Sequence, residues 1–199
     1  MMLIEETSVP DAVLPVEAFK AHLRLGSAFG PDSLQDEVLG SFLRAAMAAI
    51  EARTSKVLIT RRFAWTLSSW RDAWAQALPV APVAGIVRMV LVGRDGAETD
   101  VSSSAYWLEQ DMQQPRLRAS GAWLPAIPQA CSVRIEFDAG YGAVWDMLPA
   151  DLRQAVLLLA AHYYEYRDET ALSAGCMPFG VSSLLERYRA LRLRGGTAG

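Results

Sequence analysis

Histidine and cysteine are scarce in this sequence, which excludes much of the chemistry that a chain of 199 residues could carry. There are two of each, and no motif surrounds either histidine, so Ser–His–Asp and Cys–His catalytic arrangements have no support. Cys131 and Cys176 lie far apart and outside any metal-ligand spacing. We expect two free thiols in a reducing cytosol, with one disulfide as the alternative. The sequence therefore predicts a protein that is not an enzyme and uses no cofactor.

Positive charge and long hydrophobic runs are also limited. The 19 Lys and Arg residues against 22 Asp and Glu give a net charge of −3, which argues against a chain that coats nucleic acid through bulk charge. The longest uncharged apolar run lies within 155–161 and is far shorter than the roughly 20 residues that cross a bilayer. The first residues are acidic where a signal peptide needs basic ones. We therefore expect no membrane contact, no export signal and synthesis in the cytoplasm.

The most informative stretch runs from Val133 to Asp168. It opens with alternating residues whose apolar members share one face, which predicts a half-buried strand: Val133, Ile135 and Phe137. A structural turn follows at Gly140, Tyr141 and Gly142. The chain then enters a helix without charge in its middle, so this stretch is expected to join the β and helical parts of the fold.

The rest of the chain predicts the order helix, helix, strands, helix, helix. Helices are expected at 15–25, 33–53 and 148–168, and a β region at 57–138. Within that region 71–82 is expected to be a loop and 110–129 irregular, although 116–118 could pair briefly; 1–14 is expected to be an extended arm. The fold class predicted is α+β: a small, mainly helical bundle with an inserted antiparallel β region and a C-terminal amphipathic helix. Residues 1–182 are expected to form one domain, and 183–199 a separable helix with a flexible tail.

Two arrangements that could carry chemistry lack the residues to complete them. His162 and Glu165 share a helix face at a spacing that bundle metal sites use, but no further inward ligands accompany them. The Gly140–Gly142 turn could suggest phosphate binding, yet a third glycine and the lysine of a phosphate loop are absent, and Asp138 and Asp146 would repel an anion. A structural histidine and a structural turn are the preferred interpretations.

The final helix, from Ser183 to about Leu193, is the polar feature with the most functional promise. Its apolar face carries Leu184, Leu185, Tyr188 and Leu191, and the remainder carries Arg187, Arg189, Arg192 and Arg194. The arginines could form a solvated face or contact DNA phosphates. A third possibility is that the helix docks in a groove of a partner protein. The preceding loop, rich in Gly, Ser and Pro, favours this docking interpretation over the DNA one.

Several motifs in this order resemble a known family. They are LPVEAFKAHLRL, DSLQDEVLGSFLRAAMAAIEARTSKVLITRRFAWTL, VRIEFDAGYG and LPADLRQAVLLLAAHYYEYRD. Together they resemble the head–tail connector, or adaptor, proteins of long-tailed phages, gene transfer agents and prophages. The resemblance covers about Leu14 to Arg189 and is weakest in 71–77 and 110–129.

The resemblance implies a structural ring protein, a dodecamer, in the neck of a virion or phage-like particle. Such a ring lies under the portal protein, contacts a tail-proximal connector or stopper protein, and leaves a channel through which DNA passes without sequence-specific binding. It also implies that the final helix binds the portal, through Leu184, Leu185, Arg187, Tyr188, Arg189, Leu191, Arg192 and Arg194. The two apolar stripes of the 33–53 helix and the uncharged middle of the 148–168 helix are more apolar surface than a small bundle needs, and contacts between ring subunits would use that surplus. The alternative function is a DNA-binding module that uses the arginine-rich final helix.

Overall fold

The computed structural model describes residues 2–25, 33–167 and 177–189. Within these ranges the α-helices are α1 (Val16–His22), α2 (Ser33–Thr54), α3 (Ala150–Glu165) and α4 (Phe179–Leu185). The strands there are β1 (Met2–Glu5), β2 (Arg61–Leu67), β3 (Ala75–Ala77), β4 (Val83–Val92), β5 (Glu98–Asp100), β6 (Tyr106–Glu109), β7 (Arg116–Ala119) and β8 (Ser132–Ala139). The first three predicted helices correspond to α1, α2 and α3, although the predicted end at 168 lies outside the described residues.

The larger sheet is antiparallel and has the strand order β1-β2-β8-β4-β5. Its central strand is β8, where the predicted alternation is confirmed because Val133, Ile135 and Phe137 are all fully buried. Across from them on β2, Phe63 pairs with Phe137, and their rings stack with centroids 5.8 Å apart. Alternating burial along a paired central strand fixes the register, since a slip of one residue would turn the apolar side chains to the other face.

A second, three-stranded antiparallel sheet has the order β3-β7-β6 and covers the apolar face of the first. Leu117 of β7 is fully buried in the same core as Trp65 and Phe137 of the larger sheet. β3 lies in a stretch that the sequence predicts as a loop, and β7 lies in an irregular stretch where only a brief pairing at 116–118 is expected. They are three and four residues long, which is too short for an alternating pattern to be distinguished from a loop.

The helices form a separate core with the segments that flank them. α2 and α3 pack together, and α1 and α4 complete the layer. The fully or almost fully buried residues of α3 are Leu152, Ala155, Val156, Leu159 and Ala160. The uncharged middle of α3 therefore lies largely inside the chain, while Leu157 and Leu158 are half-buried, so its expected contact between ring subunits stays a prediction.

The segment between α2 and β2 lies between the two cores. Val57 is buried in the β core, whereas Leu58 and Ile59 are buried in the helical core. The backbone N–H of Leu58 donates to Oε1 of Glu51 at 2.7 Å, and the guanidinium of Arg61 donates to both oxygens of that carboxylate at 2.9 and 2.7 Å. Glu51 thus fastens the end of α2 to the start of β2 through charge-assisted hydrogen bonds.

The predicted class of a mainly helical bundle is wrong. The described chain is a mixed α+β fold in which two antiparallel sheets enclose their own core beside the helical one. The stretch 1–14, which the sequence predicts as an extended arm, also contains a strand. This strand, β1, pairs with β2 at the edge of the larger sheet. All four residues of β1 are exposed, so burial leaves no periodic signal there.

Candidate interaction surfaces

The C-terminal helix is shorter than predicted and belongs to the helical core. α4 begins at Phe179 after Pro178, and a 3-10 turn at Glu186–Tyr188 follows it. The backbone of Arg189 is extended, so the predicted continuous helix from Ser183 to about Leu193 is wrong. Leu185 is fully buried and Tyr188 is 5% exposed. These two predicted portal anchors therefore hold the chain's own core together.

The other predicted portal-binding residues are distributed differently. Leu184 is half-buried against the helical core, while Arg187 and Arg189 are exposed. Leu191, Arg192 and Arg194 lie outside the described residues, as does Cys176. Among the predicted portal-binding residues that the structure describes, the exposed ones are therefore Arg187, in the 3-10 turn, and Arg189, just after it.

Asp151, in the first turn of α3, fastens this C-terminal turn. The Tyr188 hydroxyl donates to its Oδ1 at 2.6 Å, and the backbone N–H of Leu152 donates to the same oxygen at 3.0 Å. The Arg187 guanidinium lies 3.4 Å from Oδ2 and stacks 4.8 Å from the centroid of the Tyr188 ring. The Tyr141 ring is perpendicular to the Tyr188 ring, with the two centroids 6.3 Å apart. Sequence reasoning did not identify Asp151, which has no motif to mark it.

Burial shifts the pKa of both tyrosines in this cluster. Burial and the hydrogen bond to the negatively charged Asp151 raise the pKa of Tyr188 above its ordinary value of 10.0. Burial is also the main cause that raises the pKa of Tyr141 to about 12. A folded-state pKa above the unfolded one means that the stabilisation is complete below pH 10 and is lost as the pH rises through the folded-state pKa.

Replacing Tyr188 by Phe (Tyr188→Phe) is expected to lower the free energy of unfolding by about 1–3 kcal/mol at pH 7.5, since a hydrogen bond to a carboxylate is lost. The deficit is expected to shrink above pH 10, because only the wild-type hydroxyl titrates. Urea unfolding at pH 7.5 and 10.5 measures both effects. Tyr166→Phe is the control, because Tyr166 is exposed and should change stability by less than about 0.5 kcal/mol. Equal stability of wild type and Tyr188→Phe at pH 7.5 would contradict the role of this contact.

A buried lysine connects the small sheet to the same C-terminal turn. Lys56 is 1% exposed, and its Nζ donates to the backbone oxygens of Met112 at 2.8 Å and Gln113 at 3.4 Å. Burial lowers the pKa of Lys56, and the charge of Asp111 opposes this effect. The Gln113 side chain in turn donates to the backbone oxygen of Arg187 at 3.3 Å. The loop between β6 and β7 is therefore held from both sides.

The glycine turn after β8 joins the two cores. Gly140 has φ +142°, and a Cβ there would lie 2.4 Å from the backbone Cα and N of Thr60. The Tyr141 N–H donates to the oxygen of Leu58 at 3.1 Å, and the Thr60 N–H donates to the oxygen of Gly142 at 2.9 Å. These contacts fit a structural turn, because its backbone groups are used by the neighbouring segment and do not point at a ligand.

The structure places His162 and Glu165 near the end of α3. The His162 ring lies 4.7 Å from the Tyr166 ring, in a tilted arrangement. Within 2–25, 33–167 and 177–189, no three His, Cys, Asp or Glu side chains converge in a way that could hold a metal ion. The polar clusters around Asp151 and Lys56 consist of ion pairs and hydrogen bonds that join elements of the fold.

Among the exposed large apolar side chains, three groups stand out that sequence reasoning did not identify. The first is the edge strand β1, with Met2, Leu3 and Ile4. The second is the outer face of the small sheet and its flanking loops, with Trp74, Trp107 and Trp123. The third is Phe179 at the start of α4, which is 89% exposed. Exposed apolar groups of this size commonly mark contacts with other proteins.

Comparisons with known proteins identify the class of this chain. No protein-family model matches it, and no curated protein matches it. Three solved structures of gene transfer agent particles contain similar chains, each alignment covering 98% of this chain and 99% of the other. The neck of an empty particle, computed with C6 symmetry, has a chain 52% identical with a TM-score of 0.90. The virion of the native particle has one 50% identical with a TM-score of 0.86. The native neck computed with C12 symmetry has one 48% identical with a TM-score of 0.85.

These similarities define a structural component of the neck of a phage-like particle. The chain belongs to the family of neck proteins of gene transfer agents, and the predicted location in a particle neck is confirmed. Such homologues are structural proteins of a particle, which implies a role without catalysis. None of the helices in the described ranges is long and apolar enough to span a membrane.

Proposed function

We propose that this chain is the head–tail connector, or adaptor, of a phage-like particle. It forms a ring under the portal, joins the head to the tail and leaves a channel for DNA. The observation that carries the proposal is the near full-length similarity, at about half identity, to chains from symmetric particle necks. A dodecameric ring is consistent with the C12 symmetry of one of those necks.

We assign the portal contact to residues nearer the end of the chain than the apolar face that the sequence predicts. Leu185 and Tyr188 are buried in the core, so the contact with the portal is assigned to the exposed Arg187 and Arg189, together with three residues that follow them in the sequence: Leu191, Arg192 and Arg194. Leu184 supports them from its half-buried position. The Asp151 contacts support this assignment because they hold the start of this segment at a fixed place on the body.

The opposite side of the ring is proposed to receive a tail-proximal connector or stopper protein. DNA is proposed to pass through the channel without sequence-specific contacts. The net charge of −3 supports passage over tight binding, since DNA binding relies on neutralising phosphates with basic residues. Arg187 forms an ion pair with Asp151, so its charge is already partly neutralised. This makes a DNA-binding final helix the weaker proposal.

Mixing the full-length protein with the portal protein of the same particle tests this function. We expect a stable complex in which twelve copies of this chain add one ring to the portal, as measured by native mass spectrometry and seen by electron microscopy. A second mixture, with the portal of an unrelated particle, serves as the control and should give no complex. Absence of any complex with the cognate portal at micromolar concentrations would contradict the proposed function.

A further inference from the structure

The outer face of the small sheet carries a groove between two tryptophans. Trp107 on β6 lies directly across the ladder from Arg118 on β7, and the Arg118 guanidinium stacks 4.6 Å from the Trp74 ring centroid. Trp74, Trp107, Glu109 and Arg118 line the groove, and its volume is about 320 Å³. This is at the lower end of the range of about 300–1,000 Å³ for small-molecule pockets, so it suits one or two side chains.

The charges in this groove already satisfy each other. Arg118 donates to both carboxylate oxygens of Glu109, with Nε at 2.8 Å and Nη2 at 3.1 Å. A bidentate pair of this kind leaves little net charge for a charged ligand to recognise. The exposed tryptophan faces are the remaining recognition elements, and they favour an uncharged, aromatic occupant.

A matching group occurs elsewhere on the same chain. Phe179 is 89% exposed and is flanked by Met177, Pro178 and Gly180, so the segment presents an aromatic side chain without a charge beside it. Phe179 opens α4 in the helical layer, whereas the groove belongs to the small sheet. Each subunit therefore carries the exposed Phe179 side chain and the aromatic groove on different elements.

Two different complementary patches on one subunit are what a ring requires. A rotational symmetry above twofold is built from heterologous contacts, in which one patch of each subunit meets another patch of the next. Resting on the proposed ring function, we infer that Phe179 of one subunit inserts into the groove between Trp74 and Trp107 of the next subunit. This contact would repeat around the ring and remove both exposed apolar surfaces from water.

A disulfide cross-link tests the inference directly. Phe179→Cys and Gly121→Cys are combined in a background in which Cys131 and Cys176 are replaced by Ser. Gly121 lines the groove, and a Cβ at that position meets no atom within 4 Å, so the substitution is tolerated. After assembly on the portal and mild oxidation with diamide, we expect a ladder of covalent oligomers on a denaturing gel. Each single-cysteine variant is a control and should yield no ladder.

A double-mutant cycle measures how strongly the same contact between Phe179 and the groove contributes to ring assembly. Phe179→Ala and Trp107→Ala should each weaken ring assembly about tenfold or more, as expected for buried aromatic contacts at interfaces. The double variant should be little weaker than either single one, because both substitutions remove the same contact. Trp123→Ala is the matched control, since Trp123 is 68% exposed and does not line the groove.

The outcomes separate this inference from the proposed function. Rings that form on the portal without cross-links, or with additive losses in the cycle, would overturn the inference and leave the ring function intact. Covalent dimers alone would show a twofold contact, and a cross-link within one chain would place Phe179 in its own groove; either result overturns the inference. Absence of rings on the portal with the wild-type protein would contradict the proposed function itself.

Discussion

Removal of residues 190–199 is expected to abolish portal binding while the fold remains intact, whereas removal from Ser183 is expected to unfold the helical half. The shorter deletion leaves every described contact of the C-terminal turn in place. The longer one removes Leu185 and Tyr188 from the core, together with the hydrogen bond to Asp151. Truncating a buried leucine alone costs about 2–5 kcal/mol, and a domain has only about 5–15 kcal/mol in total.

Thermal unfolding by circular dichroism and co-purification with the portal measure the two effects on the same samples. Full-length protein carrying Leu191→Ser with Arg192→Ser is the matched control, because it keeps the chain length and should lose most of the portal affinity without a change in melting temperature. Undiminished portal binding by the shorter deletion would place the portal contact elsewhere. An unchanged melting temperature for the longer deletion would contradict the core position of Leu185 and Tyr188.

Gly140→Ala is expected to be among the most damaging single substitutions in the chain. Its Cβ would lie 2.4 Å from the Cα and N of Thr60, which are backbone atoms that cannot rotate away. The φ of +142° adds strain for any residue with a side chain. Because the turn joins both cores, relief would require separating β8 from the segment before β2. We expect a loss of about 4 kcal/mol or more, which is exceptional for a point substitution.

Urea unfolding and the yield of soluble protein measure this effect. Gly180→Ala is the matched control, since a Cβ there meets nothing within 4 Å and the residue lies within α4. Alanine in place of glycine in a helix should leave stability unchanged or raise it by up to about 1 kcal/mol. A Gly140→Ala protein as stable as this control would show that the turn can rearrange and is not the joint between the cores.

The parts of the fold that could be predicted are those with a long, one-sided pattern. β8 alternates over eight residues and is buried on one face, so its sequence determines both its existence and its orientation. α2 and α3 are long enough for helical periodicity to show. β1, β3 and β7 have only three or four residues, and β1 is wholly exposed, so no burial pattern distinguishes them from loops. The predicted helical bundle was wrong because those short strands complete two sheets.

The candidate site was harder to predict, for a related reason. An apolar face on the last helix indicates burial, but the pattern is the same whether the face packs on a partner or on the chain itself. Leu185 and Tyr188 pack on the chain itself, which only the position of α3 and Asp151 reveals. The groove of Trp74, Trp107 and Arg118 depends on pairing between distant short strands, so no local motif marks it.

The most direct test of the account is electron microscopy of particles made by cells that lack this chain. If the protein joins head to tail, the preparation should contain heads with a bare portal and separate tails, and plasmid-encoded wild-type protein should restore complete particles. Protein lacking residues 190–199 should not restore them. Complete, tailed particles formed in the absence of this chain would contradict its role as the connector.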